Sequence, residues 1–334
     1  MPPETIGPHD DPLDHRAREW IFERLDHAGL RCAGEIGEPR VRPWSIVIRV
    51  PTDDRAVWFK ANRAQTTYEP ALINVLARRA PDVVLTPIAT DVERGWSLLP
   101  DGGPILRSFP DEDVLGHWER VLPAYADLQR KLSPRVAELT AAGVPDERPH
   151  RIPELFSALL DKTDVLFVEE PDGLRPEEFA RLRQLGSALA TRCDVLTHSG
   201  IAPTVDHSDL HDGNVFVQDG TYAVFDWGDA SLTHPFASLL VTMSALGARY
   251  SVSSDAPVLQ RLRDAYLEPW TGTHARPELV ELAAHAVALA PINRALSWER
   301  ALSAVPPAER GEYREAVPGW LRELIDTPAG QPSP

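Results

Sequence analysis

The spacing of apolar and polar positions changes character near residue 100, and each half predicts a different kind of structure. Over residues 15–28 the apolar positions Ala17, Trp20, Ile21, Leu25 and Ala28 recur at steps of three and four, one face of a short helix. Residues 44–50 and 56–60 are apolar, β-branched runs separated by a polar turn at 51–55, so they read as an antiparallel hairpin with Lys60 near its end. Residues 67–80 return to helical periodicity through Ala71, Leu72, Val75 and Leu76, with Thr66 or Thr67 as N-cap, Glu69 in the first turn and Pro81 just past the end. Two further short strands are expected at 83–89 and 95–99, before Pro100-Asp101-Gly102-Gly103-Pro104 breaks the pattern. Beyond that break helical stretches dominate, at 114–132, 153–164, 176–192 and several within 235–325.

This organisation predicts an α+β chain in two lobes: a small antiparallel β-rich lobe over 15–100 and a larger, mainly helical lobe over 101–326. Residues 1–14 and 327–334, rich in Pro and small polar residues, are expected to be loose. A length of 334 residues accommodates two lobes, and 43% hydrophobic with 25% charged residues is the mix of a folded chain. No apolar run approaches a membrane span, and the start of the chain lacks the basic and apolar regions of a signal peptide. A cytoplasmic location without a membrane partner is expected.

Charge and rare residues narrow the chemistry. A net charge of -16 argues against a nucleic-acid partner and is compatible with a cationic substrate. The only cysteines, Cys32 and Cys193, provide neither a disulfide framework nor a zinc site. Lys occurs only at 60, 131 and 162 in a chain whose cations are otherwise Arg, which marks these positions for tasks needing a compact ammonium, such as a point contact to phosphate.

One polar segment interrupts the helical half, running from His207-Ser208-Asp209-Leu210 through Asn214 to Asp226-Trp227-Gly228-Asp229. Within it, 215–218 and 221–225 are strand-like and are joined by Asp219-Gly220, a pair suited to a two-residue hairpin loop. With Gln218 facing Thr221, Val215 faces Val224 and Asn214 lies opposite Phe225. Asn214 and Asp226 are then neighbours at one end of the hairpin, two hard oxygen ligands suited to magnesium with water and phosphate completing the shell. Asp209 precedes the hairpin by a short loop and reaches the same end as the base that orients an attacking hydroxyl and takes its proton.

The spacing His207-x-Asp209-Leu210-x-x-x-Asn214 followed by Asp226-Trp227-Gly228 resembles the aminoglycoside phosphotransferase and choline kinase family, which has a protein-kinase-like fold. The resemblance follows order and spacing over 44–238 and is specific over 207–229. It implies a kinase that uses magnesium and ATP or GTP to phosphorylate a hydroxyl of a small molecule, such as an aminoglycoside or other antibiotic, an amino sugar or an amine alcohol. Asp209 would be the base, Asn214 and Asp226 the magnesium ligands, and His207 a support for the loop. Ser208 stands where the family has Gly, and follows the same backbone provided its φ is not strongly positive. Lys60 and Glu69 resemble the lysine on the α- and β-phosphates and its glutamate partner. Gly34 and Gly37 are a sparse match to a phosphate loop, with Ser45 as a phosphate contact. Leu99 and Asp101 fall in the stretch expected to meet the adenine edge, and Asp229, Arg294 and Trp298 are candidates on the acceptor side. Two other readings stay open: a nucleotide-binding pseudokinase, and a metal-dependent hydrolase with His207, Asp209 and His211 as ligands.

Overall fold

The computed structural model describes residues 14–326. The loose termini expected over 1–14 and 327–334 lie outside the described residues, except for Asp14. That residue is the N-cap of the first helix, its carboxylate accepting the Ala17 N–H at 2.7 Å.

The N-terminal lobe is built as its apolar spacing predicts. Helix α1 (His15–His27) lays Ala17, Trp20, Ile21 and Leu25 on a sheet formed by β1 (Arg40–Arg42), β2 (Ser45–Val50), β3 (Val57–Asn62), β4 (Ala89–Asp91) and β5 (Trp96–Pro100). The sheet is antiparallel with order β1-β2-β3-β5-β4. Trp96 meets Trp20 and Phe59 edge-on at 5.7 and 5.8 Å, and Trp20 and Phe59 are tilted at 5.9 Å, filling the space between helix and sheet. Helix α2 (Glu69–Arg79) crosses between the lobes, its Leu72, Ile73, Val75 and Leu76 buried in the core of the helical lobe.

Three details of this lobe differ from expectation. Lys60 lies in the interior of β3 and not at its end, because pairing with β2 and β5 extends the strand to Asn62. Thr66 and Thr67 do not cap α2. A 3-10 turn over Ala64–Thr66 intervenes, and the Thr66 hydroxyl donates instead to the carbonyls of Trp44 and Arg63. Residues 83–88 form no strand. Pro81 and Pro87 have no N–H to give a ladder, and Val83 and Val84 leave the sheet for the other lobe, where Val224 N–H donates to the Val83 carbonyl at 2.8 Å.

The helical lobe comprises α3 (Asp111–Leu132), α4 (Val136–Ala141), α5 (Ile152–Leu160), α6 (Thr163–Leu166), α7 (Pro176–Gln184), α8 (Gly186–Thr197), α9 (Leu239–Tyr250), α10 (Pro257–Leu267), α11 (Arg276–Ala301) and α12 (Ala316–Asp326). The single helices expected at 153–164 and 176–192 are each two. Two hairpin-like pairs are set among them: β6 (Thr204–Asp206) with β9 (Ser231–Thr233), and β7 (Val215–Gln218) with β8 (Thr221–Val224). Helix α11 is long and apolar enough to pass for a membrane span, contrary to the sequence expectation; 67% of its apolar window is buried, the signature of a core helix.

That core also buries a histidine. Between β9 and α9, His234 Nδ1 accepts the Phe236 N–H at 3.3 Å, while its Nε2 is buried without a partner. Burial pushes the imidazole down to about 3. Unfolding restores a value near 6.5, so the stability held by the neutral ring is complete above that pH. It is lost as the pH falls from about 6.5 towards 3, at up to about 1.4 kcal/mol per pH unit. Urea denaturation at pH 7.5 and 5.5 should therefore show the wild type losing about 1.4 kcal/mol more than His234→Asn, which keeps a cap acceptor but does not titrate. Equal losses would remove His234 from the acid sensitivity.

Candidate active site

The β7–β8 hairpin forms with the register its sequence predicts. Asp219 (φ 51°) and Gly220 (φ 77°) are both left-handed, as a type I′ loop requires, and Gln218 pairs with Thr221 and Val215 with Val224. Phe225 N–H donates to the Asn214 carbonyl at 3.1 Å, which brings Asn214 and Asp226 to the same end. Asp226 leaves the strand in a left-handed conformation, φ 65°, that Asp tolerates better than most residues. Trp227 behind it is fully buried, its indole N–H donating to the Val224 carbonyl at 3.1 Å.

The loop before the hairpin is wired to it by His207 and Asn214. His207 is buried between two fixed contacts: Nε2 donates to the Phe225 carbonyl at 2.8 Å and Nδ1 accepts the Asp209 N–H at 3.2 Å. Both ring nitrogens are thereby occupied, which assigns His207 a supporting position and takes away a ligand that the hydrolase reading needs. Asn214 Nδ2 donates to the Asp209 carbonyl at 2.9 Å and to its Oδ2 at 3.3 Å. Arg294 Nη2 meets Asp209 Oδ1 at 3.1 Å, and His211 Nε2 lies 3.4 Å from Oδ2. Burial on its own would raise the Asp209 carboxyl. Arg294, with the His211 hydrogen bond, outweighs burial and holds it well below the usual carboxylate range.

Ser208 departs from expectation. Its φ is 63°, so it holds the left-handed conformation in which Gly is unstrained. The serine is kept there by its hydroxyl, which donates to Asp206 Oδ2 at 3.2 Å; Asp206 also accepts from Ser238 at 2.5 Å. Neither Asp206 nor Ser238 was foreseen, and nothing in their spacing distinguishes them from ordinary core-edge polar residues.

Lys60 reaches across from β3. Its ammonium lies 2.6 Å from Glu69 Oε2 and 2.5 Å from Asp226 Oδ1, joining both lobes through one charge. Burial would lower its affinity for the proton, but Asp226 and Glu69 more than reverse this and raise it above the ordinary value. Glu69, 1% exposed, is more than a first-turn acid: Oε2 also accepts from Asn62 at 2.6 Å, and Oε1 accepts the Trp227 N–H at 2.9 Å. Next to it, Tyr68 donates to the carbonyls of Gly228 and Ala230 at 2.8 and 2.7 Å, so α2 is fastened to the Asp226-Trp227-Gly228 segment at two adjacent residues. Asn62 and Tyr68 escaped the sequence reading, since neither type is unusual in a strand or helix.

The donors at the hairpin end fit a hard divalent cation. Asn214 spends its NH2 on Asp209, which leaves the carboxamide oxygen as its acceptor, and Asp226 gives one carboxylate oxygen to Lys60 with its side chain still 45% exposed. One neutral and one anionic oxygen make a partial shell of the kind that magnesium shares with water and phosphate. Among the described residues no cluster of three or more His, Cys, Asp or Glu side chains is arranged to hold a metal by itself.

The remaining candidates divide. Ser45 pairs with Asn62 as Val47 pairs with Lys60, so it shares the Lys60 face of the sheet. Leu99 pairs with Trp58 and packs on the helical lobe. The Asp101 carboxylate is engaged within the linker, accepting from Gly103 N–H at 2.9 Å and Trp58 Nε1 at 3.4 Å. At Gly102 a Cβ would lie 2.2 Å from the Phe216 ring, so the linker rests on β7 through a position open only to glycine. Asp229 accepts from Ser297 and lies 3.6 Å from Arg294, and Trp298 meets Trp44 edge-on at 5.4 Å and stacks with Tyr313 at 6.1 Å. Arg294, a candidate on the acceptor side, lies against Asp209.

The sequence profile described as "Phosphotransferase enzyme family" matches residues 60–280. No curated protein sequence matches the chain. Among solved structures it is similar to a macrolide 2'-phosphotransferase type I, with a TM-score of 0.56 and 17% identity over 93% of this chain and 99% of that one. An ethanolamine kinase from Plasmodium vivax gives a TM-score of 0.58 at 12% identity, covering 98% of this chain and 96% of that one. An amicoumacin kinase solved with AMP-PNP and Ca2+ gives 0.52 at 12% identity, over 95% and 97%. At such identities the likeness shows the fold, a protein-kinase-like one with a small antiparallel sheet and a helical remainder.

Proposed function

The chain belongs to the phosphotransferase enzyme family and is a small-molecule kinase, and on that premise we propose that it transfers the γ-phosphate of ATP or GTP to a hydroxyl of a small molecule with Asp209 as base. The observation that carries the reading is the junction at Asp226, where Lys60 and Glu69 from one lobe meet the hairpin end that also presents Asn214 and, through it, Asp209.

In the proposed reaction the acceptor hydroxyl lies against Asp209, which aligns its oxygen with the γ-phosphorus and takes its proton as the new P–O bond forms. The bond between the γ-phosphorus and the bridging oxygen breaks, and the electron pair leaves with the nucleoside diphosphate. Magnesium, held by Asn214 and Asp226, would supply neutralisation of phosphate charge. Lys60 contributes a point charge to the phosphates and Glu69 keeps that ammonium aimed. His207 and Asn214 keep Asp209 fixed, so little reorganisation accompanies the proton transfer. The AMP-PNP and Ca2+ in the amicoumacin kinase structure support a nucleotide cosubstrate and a divalent cation.

Lys60→Met should lower kcat/KM for the nucleotide by about 10²- to 10³-fold, the effect of removing one charged donor from a transferring phosphoryl group. Coupled ADP-release kinetics measure it, and an unchanged value would detach Lys60 from the phosphates. The reading as a whole is tested by transfer of labelled γ-phosphate from Mg-ATP or Mg-GTP to hydroxylated small molecules. A protein that binds no nucleotide would overturn it.

A further inference from the structure

We propose that Asp206 and Ser208 are positioning residues for the transfer: together they hold the left-handed backbone from which Asp209 projects, in a chain that places no glycine there. The inference rests on the reading of Asp209 as base.

The residues between β6 and Asp212 lie outside helix and strand, and their backbone donors go to side chains. His207 N–H donates to Tyr125 Oη at 2.9 Å, Ser208 N–H to the Asp206 carboxylate, and Asp209 N–H to His207 Nδ1 at 3.2 Å. The carbonyls are fixed in the same way: that of Asp209 accepts from Asn214 Nδ2 at 2.9 Å and that of Leu210 from the Thr242 hydroxyl at 2.7 Å. All of these directions depend on one dihedral angle, φ 63° at Ser208. A Cβ makes that conformation about tenfold less populated than the right-handed one. If Ser208 relaxed, the 208–209 peptide would turn and Asp209 would part from His207 and Asn214.

Asp206 prevents the relaxation. Its carboxylate takes both the N–H and the hydroxyl of Ser208, the latter on Oδ2 at 3.2 Å, and two contacts on either side of one Cα fix the rotation about it. Oδ1 accepts from Ser238 at 2.5 Å, and Ser238 is itself held by Gln129 Nε2 at 3.1 Å, which also donates to the Val205 carbonyl at 3.0 Å. The carboxylate is therefore anchored in the core of the helical lobe. Asp206 is 2% exposed, and among the described residues no Lys or Arg pairs with it, so burial holds its carboxyl above the usual range. A buried carboxylate without a cation is a costly way to complete a strand end. Its contacts lead to the one residue before the base, which is the task that accounts for it.

The test is single-turnover transfer from γ-labelled Mg-ATP to water, glucose, choline and kanamycin, with Mg-ADP affinity measured by calorimetry. Ser208→Ala loses the hydroxyl and keeps the Cβ. It should slow transfer by about 10- to 100-fold, the effect of displacing a catalytic group, with Mg-ADP affinity changed by no more than about threefold. Ser208→Gly loses hydroxyl and Cβ together and should be about tenfold faster than Ser208→Ala, because glycine holds the left-handed backbone without help. A hydroxyl that served only packing or substrate contact would make the two losses equal. Asp206→Val removes both acceptors and should repeat the Ser208→Ala loss, Asp206→Asn keeps one oxygen for Ser208 and should lose less, and adding Ser208→Gly to Asp206→Val should recover most of the rate. A wild-type rate in Ser208→Ala, or equal losses in Ser208→Ala and Ser208→Gly, overturns the inference, and this pair decides it even where Asp206→Val does not fold. A wild type that binds Mg-ATP and transfers phosphate to no acceptor, water included, removes the phosphotransferase reading and the inference with it.

Discussion

Replacing Asp209 by Asn should reduce turnover by about 10²- to 10⁴-fold, the contribution of a positioned base, while the nucleotide dissociation constant changes by no more than about threefold. The separation follows from what Asp209 touches. Its carboxylate contacts Asn214 Nδ2, His211 and Arg294, whereas the Lys60 ammonium meets Glu69 and Asp226. An amide in its place keeps the volume and one oxygen for Arg294 or Asn214, but it cannot take a proton from an attacking hydroxyl. Asp229 remains beside Arg294, so the guanidinium keeps a carboxylate neighbour in the variant. Single-turnover phosphate transfer separates the chemical step from binding. Unchanged transfer would remove Asp209 from the mechanism, and a parallel loss of nucleotide affinity would show that it acts through the metal-binding end and not as a base.

How much of this was legible in the sequence depended on the range of the interaction. Asn214 and Asp226 are brought together by a two-residue loop whose register follows from Asp219-Gly220, so local rules sufficed. Strands β2 and β3 and helix α1 announced themselves through spacing. Contacts between distant segments did not. Nothing in the order of residues connects Arg294 to Asp209, Tyr68 to Gly228, or Trp44 to Trp298, because each pairing is set by how helices and lobes pack. Residues 83–88 illustrate the same limit: their apolar, β-branched pattern is that of a strand, yet flanking prolines and the core of the other lobe claim them. Ser208 misled for a different reason, since its left-handed backbone is sustained by Asp206, a partner two residues away whose own fixation depends on Ser238.

Asp226→Asn should weaken binding of the magnesium nucleotide by about 10²- to 10³-fold and shift the magnesium requirement upward, with binding of metal-free nucleotide changed far less. Asn is the informative substitution because position 226 is left-handed, a conformation Asn adopts at least as readily as Asp, whereas Ala there adds backbone strain of about 1 kcal/mol. Removing the charge leaves Lys60 with Glu69 as its remaining carboxylate, at 2.6 Å, so the buried ammonium is not abandoned and the fold should persist. Asp226→Ala should therefore share the binding defect and unfold at a lower temperature than Asp226→Asn. Calorimetric titration with ADP, with and without magnesium, reads the first effect and thermal denaturation the second. If Asp226→Asn binds Mg-ADP as the wild type does, Asp226 is only the counter-charge of Lys60, and the cation must be sought elsewhere than at the hairpin end.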